Sequence, residues 1–361
     1  MDFGLSQEQE LLQETLRRFL ADRCPTTRVR EVMESDSGHD AALWSALAEL
    51  GLAAICIPEA LGGIGSELLD LAIVSEEMGY AAAPGPFLGN AMATIGLVEG
   101  QSEQTRSRWL PKMAAGQVIG TVAIGEAGSE WRPEHLATRA QGGCITGEKL
   151  LVPYADTADI LLVGACDDDG PGVWLVEGGA DGIAASELAV NDMTRRLHHV
   201  AFSDTPALKI GGAALLERII DAGSILVAAD AFGGSSRCVD MARDYVMQRE
   251  QFGQVIGAFQ AVKHQLADLV ADLEPSMSLY WYAAHAFDHL GDQSSRCAAM
   301  AKAHATDLFD RVAGQTTELH GGIGFTWEFD LHLWFRRALF DRSFLGEASL
   351  HRERAALLAR W

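Results

Sequence analysis

Gln248-Arg249-Glu250-Gln251-Phe252-Gly253-Gln254-Val255-Ile256-Gly257-Ala258-Phe259-Gln260 is the stretch on which the reading of this chain turns. It separates two long helical patterns, 213–249 and 257–290. Towards the C-terminus, segments 293–319, 328–341 and 346–360 keep helical spacing with short connectors, the pattern of an antiparallel bundle. Towards the N-terminus the character changes. Between about 117 and 210, β-prone runs at 118–124, 144–152, 160–164, 173–176 and 198–202 alternate with Gly, Asp and Pro clusters, which predicts a small β-sandwich or barrel. Residues 1–115 return to helical spacing. Ser6 is a candidate N-cap, with Leu11, Leu12, Leu16, Phe19 and Leu20 on one face, and further helices are expected near 40–50, 67–78 and 90–99. Pro84 and Pro86 break the pattern before the last of these. Helices, then strands, then helices give an α+β fold, mainly α, with segregated units: an N-terminal helical domain (1–116), a middle β-domain (117–211) and a C-terminal helical bundle (212–361).

Composition narrows the partners. The 361 residues carry a formal net charge of −22, which argues against nucleic acid, since phosphate backbones need clustered Lys and Arg. One local basic pocket would still serve an acidic ligand. The most apolar stretch, 219–234, is interrupted by Asp221 and Asp230 and is too short to span a bilayer. Met1 to Glu10 lack a basic run followed by an apolar one, so no secretory leader is expected. Cysteines 24, 56, 144, 166, 238 and 297 have no paired spacing and read as small apolar residues of a reducing cytoplasm, not as disulfides or metal ligands. His264 and His320 have no carboxylate partners at metal-binding spacing.

Three motifs, in order, carry a resemblance. They are Leu52-Ala53-Ala54-Ile55-Cys56-Ile57-Pro58-Glu59-Ala60-Leu61-Gly62-Gly63-Ile64-Gly65 followed by Glu76-Glu77-Met78-Gly79, then Arg249-Glu250-Gln251-Phe252-Gly253, then Glu318-Leu319-His320-Gly321-Gly322-Ile323-Gly324. Over essentially the whole chain they resemble the acyl-CoA dehydrogenases. That resemblance implies a helical, β and four-helix-bundle fold, FAD, an acyl-CoA substrate and an electron-transfer flavoprotein as acceptor. It also implies α,β-dehydrogenation with a glutamate as base, a role that a carboxylate fills in a dry site. In such proteins one protomer's bundle grips the ADP end of the FAD held by another. Arg249 resembles the arginine that meets the pyrophosphate, Gln251 and Phe252 lie in the same contact segment, and Gly321-Gly322 would let main-chain N–H groups approach the cofactor. Glu318 stands where the family often has Gln.

The resemblance then breaks in a consistent way. The family keeps its catalytic glutamate at one of two positions, which in this chain hold Leu345 and Gly223. Glu347 is two positions from the first, about 200° round a helix. Glu217 is six positions early for the second. The family's flavin-facing loop is shortened to Gly125-Glu126-Ala127-Gly128-Ser129-Glu130-Trp131, and its flavin-contacting Trp and Thr become Leu151 and Pro153. The kept elements are those that serve another subunit's cofactor. The expectation is a subunit without catalytic residues, paired with a catalytic acyl-CoA dehydrogenase subunit in an α2β2 heterotetramer. Bacterial enzymes acting on steroid side-chain CoA esters are built this way. The alternatives are a self-sufficient homo-oligomer using Glu347 as base and a flavin-free scaffold.

Overall fold

The computed structural model describes residues 4–360; residues 1–3, the start of the segment read for a secretory leader, and Trp361 lie outside the described residues. Ser6 caps α1 (Gln7–Arg23). Its hydroxyl accepts from Gln9 N while the Gln9 side chain accepts from Ser6 N, so two otherwise orphaned N–H groups are satisfied reciprocally. Two helices that the sequence pattern had not marked join the expected ones: α2 (Thr26–Met33) is only eight residues long, and α6 (Glu103–Ala114) carries Pro111 inside it. Between them lie α3 (Ala41–Glu49), capped by Asp40, α4 (Leu68–Tyr80) and α5 (Phe87–Val98). Helix α5 starts three residues before the expected 90, because Pro86 takes the N-cap position instead of ending the preceding segment.

The strands are β1 (Gly120–Ala123), β2 (Arg139–Gln141), β3 (Cys144–Pro153), β4 (Ile160–Asp167), β5 (Gly170–Glu177), β6 (Ile183–Glu187), β7 (Leu197–Pro206) and β8 (Leu208–Gly212). They form one sheet in the order β6-β7-β3-β2-β4-β5-β8, with β1 parallel beside β4. Val200 and Phe202 of β7, Ile145 and Val152 of β3, and Leu161, Val163, Trp174 and Val176 of β4 and β5 share one apolar cluster. The cluster runs across consecutive strands of the sheet. Where the sequence predicts a small sandwich or barrel, the structure has one eight-stranded sheet. Three strands, β2, β6 and β8, went unread; β6 is exposed along most of its length and has no alternation to detect.

Helix α7 (Ala213–Gln248) runs 36 residues and is buried along most of its first half. After it come the two-residue strands β9 (Glu250–Gln251) and β10 (Gln254–Val255), then α8 (Gln260–His289), α9 (Gly291–His320), α10 (Leu331–Ser343) and α11 (Ala348–Leu358). Gly79 of α4 and Gly233 of α7 each face the other helix's backbone with no space for a Cβ, so the two helices cross at contact distance.

A buried ionic cluster ties the parts together. Arg337 of α10 donates to Asp192 at 2.7 Å, to both oxygens of Asp230 at 3.1 Å and to Thr194 at 2.5 Å, and Arg195 donates to Asp230 at 2.6 Å. Both guanidinium groups also reach the Ala83 carbonyl. The segment before α5, the loop before β7, α7 and α10 are thus joined by charges that no water can replace. Asp341 lies against them, fully buried, its pKa raised well above the ordinary value by burial and by Asp230.

Candidate functional site

The two positions where a catalytic glutamate was sought lie together, and the space between them is filled. A Cβ on Gly223 would sit 2.6 Å from Leu345 Cδ1 and 2.5 Å from Met92 Cε, closer than nonbonded carbons approach. Leu345 is 1% exposed and takes a left-handed backbone, φ 61°. Three bonds hold its loop. Lys302 Nζ donates to the carbonyls of Asp341 at 2.6 Å and Gly346 at 3.1 Å, and His351 Nε2 donates to the Leu345 carbonyl at 3.0 Å. Burial lowers the Lys302 pKa to about 7, with Asp341 pulling it back up. Burial, reinforced by Lys302, pushes the His351 pKa down to about 3, so His351 is neutral.

The neighbouring loop closes the same region from the sheet side. Glu130 and Trp131 are both left-handed, φ 52° and 61°, and the turn folds the indole back over Gly125. The Trp131 ring meets the Phe344 ring edge-on at 5.3 Å. Leu151, also left-handed, lies in the irregular step where β3 shifts register against β7, between Lys149 and Val152. Pro153 has no N–H to offer, and its carbonyl accepts from Thr121 Oγ1 at 2.6 Å. Buried Lys149 pairs with Glu126, which also accepts from Thr138 N at 3.1 Å. Burial lowers the Lys149 pKa to about 8 despite that partner. This face presents hydrocarbon and used-up polar groups. It does not fit an isoalloxazine ring, which needs a flat slot and free donors at its edge.

The other end of α7 is open. Arg249 caps that helix, is exposed, and makes no ion pair among the described residues. Strands β9 and β10 form a two-residue hairpin with Phe252 and Gly253 at its tip, φ 53° and 81°, the double left-handed turn that matches strand twist. It holds the Phe252 ring 92% exposed, while Gln251 Nε2 donates to the Glu250 carbonyl. One turn before Arg249, the Tyr245 ring lies 4.6 Å from His320, whose Nδ1 donates to the Thr316 carbonyl at 2.7 Å. That contact brings the C-terminus of α9 beside the C-terminus of α7. It places exposed Gly321 and Gly322, around which a Cβ would meet nothing within 4 Å, near Arg249. Gly321 has φ 62° and ψ −144°, a conformation reserved for glycine. A free guanidinium beside exposed glycine N–H groups is a donor set that fits a pyrophosphate. Exposed Glu318 brings the opposite charge to the same rim.

The remaining candidates stand apart. Glu347 is exposed at the N-cap of α11, outside the dry space around Leu345. Glu217 is exposed near the start of α7. Among the described residues no group of His, Cys, Asp or Glu could hold a metal, the six cysteines are free, and no helix is long and apolar enough to cross a membrane. Sequence reasoning missed Trp131, Met92, Tyr245 and the Lys302 and His351 supports. Of these only Trp131, inside a motif already marked as shortened, carried a signal.

Residues 6–117 match the acyl-CoA dehydrogenase N-terminal domain and residues 211–357 the acyl-CoA dehydrogenase C-terminal domain. The chain is 35% identical to acyl-CoA dehydrogenase IpdE2 of Mycolicibacterium smegmatis, over 95% of this chain and 96% of that one. Among solved structures, a variant of the Tcur3481–Tcur3483 steroid ACAD is 31% identical with TM-score 0.91, over 98% of each chain. The ChsE4–ChsE5 complex from Mycobacterium tuberculosis is 27% identical with TM-score 0.90, over 100% of this chain and 99% of that one. Motifs, fold and relatives converge, and the chain belongs to the acyl-CoA dehydrogenase family of FAD flavoproteins, oxidoreductases that act on acyl-CoA thioesters.

Proposed function

We propose that this chain is the subunit without catalytic residues of a heteromeric acyl-CoA dehydrogenase, and that it supplies the ADP-binding half of a site whose flavin half and base belong to a catalytic partner. The observation that carries this reading is the contrast along α7: Leu345 fills the space over Gly223 at one end, while Arg249 stands free beside Gly321 and Gly322 at the other.

When bound, FAD supplies the hydride acceptor for α,β-dehydrogenation. This chain's share is binding. Arg249 meets the pyrophosphate as a planar fork, Gly321 and Gly322 offer main-chain donors, and Gln251 and Phe252 cover the adjoining surface. Glu318 sits at the rim and disfavours a second anion there. Leu345 and Met92 keep water and acyl chain out of the closed end. The likeness to the Tcur3481–Tcur3483 steroid ACAD supports a bulky polycyclic acyl-CoA as substrate, and the likeness to the ChsE4–ChsE5 complex supports an α2β2 assembly. An electron-transfer flavoprotein as acceptor, a cytoplasmic location and the division at 116/117 and 211/212 complete the proposal.

The test is native mass spectrometry of the assembly with a flavin count. One FAD per two chains, with two kinds of subunit, is expected. The idea is sunk by a purified homo-oligomer that holds one FAD per chain and oxidises an acyl-CoA.

A further inference from the structure

A cavity lies between the α1–α2 corner and the bundle. It is lined by Arg17, Cys24, Tyr80, Arg237 and Trp334, among others, and encloses about 260 Å³. Its charges do not cancel. The Arg17 guanidinium is committed to the buried Glu77 carboxylate, with one bond of 2.7 Å, and stacks on the Tyr80 ring at 3.6 Å. Asp240 pairs with Arg243 at 2.9 Å, a guanidinium that also holds Asp244 at 2.9 Å, and accepts from the Tyr80 hydroxyl at 2.8 Å. Arg237 is left over. It is half-buried, lies 5.5 Å from the Tyr80 ring centre and 5.6 Å from that of Trp334, and has no ion pair among the described residues. Arg237 thus lies between two aromatic rings on the cavity wall, hydrogen-bonded to Tyr80 and with no carboxylate within ion-pair distance among the described residues. Trp334 is fixed, with Nε1 donating to the Gly79 carbonyl at 3.1 Å, so the wall is preformed. Burial raises the Cys24 thiol pKa to about 12, so the cavity offers no reactive nucleophile.

We propose that this cavity is a binding site for a small ring-bearing carboxylate, whose carboxylate pairs with Arg237 and whose ring packs against Tyr80 and Trp334. A guanidinium takes a carboxylate in a planar two-bond fork, and the aromatic walls favour a flat apolar body over a hydrated one such as inorganic phosphate. The site is independent of the proposed subunit role, since it shares no residue with Arg249, Gly321, Gly322 or Leu345.

Isothermal titration calorimetry on the purified chain in its native assembly tests this, with benzoate as probe, benzamide as its uncharged isostere and inorganic phosphate as the ringless anion. Saturable benzoate binding is expected, with benzamide and phosphate each at least about tenfold weaker. Arg237→Gln should weaken benzoate by about tenfold or more. Ala21→Trp, which blocks the cavity at its rim without touching a charge, should abolish binding. Thermal midpoints of both variants establish that they are folded. The proposal is overturned by unchanged benzoate affinity in a folded Arg237→Gln protein, by phosphate or benzamide binding as tightly as benzoate, by retained binding in Ala21→Trp, or by no saturable binding up to about 10 mM.

Discussion

Leu345 Cδ1 lies 2.6 Å from the point a Cβ on Gly223 would occupy, so each of these residues excludes a larger partner at the other. Leu345 is 1% exposed, so hydrocarbon closed off from water stands where the family places its base. Gly223→Ala must push the flexible ends of Met92 and Leu345 aside while gaining about 1 kcal/mol of helix propensity, so unfolding free energy should change by no more than about 1 kcal/mol, measured by urea denaturation. Leu345→Ala should relieve the clash but leave a void, and the double variant should be more stable than the sum of the two singles implies. Strict additivity would mean that the two side-chain positions do not meet.

Arg249→Ala should leave the stability of the chain within about 0.5 kcal/mol of the parent, because the exposed guanidinium has no ion pair among the described residues to lose. FAD retention by the assembled complex should fall by about tenfold or more, read as flavin absorbance after gel filtration. Equal flavin content would remove Arg249 from the cofactor site.

Phe252→Asn tests the exposed hairpin. Asn tolerates the left-handed conformation that costs a phenyl-bearing residue about 1 kcal/mol, so the isolated chain should be as stable or slightly more so. Loss of a ring that is 92% exposed here should nevertheless weaken association with the partner subunit, measured by analytical ultracentrifugation.

Arg337→Met should cost about 3–5 kcal/mol in a urea titration, because it strands Asp192 in the interior and leaves Asp230 with Arg195 alone. Arg337→Lys should recover only part of that, since an ammonium cannot span both carboxylates.

Glu76 gives the pH dependence a sign. It is buried, accepts hydrogen bonds from Tyr280 and, at 3.0 Å, Gln13, and burial raises its pKa to about 7 against an unfolded value near 4.5. The folded state prefers the protonated acid, so the stability this group contributes is complete below about pH 4.5 and is lost as pH rises through 7. Glu76→Gln should flatten the stability profile between those limits. A parallel profile in the variant would assign the pH dependence elsewhere.

The parts of the fold that sequence revealed are those with a local cause. The Ser6 cap and the 36-residue run of α7 each follow from residues within a few positions of one another. Helix α2 was too short to show a period, and Pro111 hid α6. The candidate residues Arg249, Gly321, Gly322, Gly223 and Leu345 were legible as motif positions, but their contacts were not. That Met92 and Leu345 fill the space over Gly223 involves separations of more than a hundred residues, as does the pairing of Arg337 with Asp192. Such pairings are fixed by chain topology, and no spacing rule encodes them.

Helix α7 sets Gly223 and Arg249 about 40 Å apart on one rigid rod. At that distance substitutions at the two ends do not share partners, so drift at one leaves the other untouched. A duplicated gene could lose its chemistry at the Gly223 end without any penalty at the Arg249 end, which makes division of labour between sister subunits an accessible evolutionary step for this architecture.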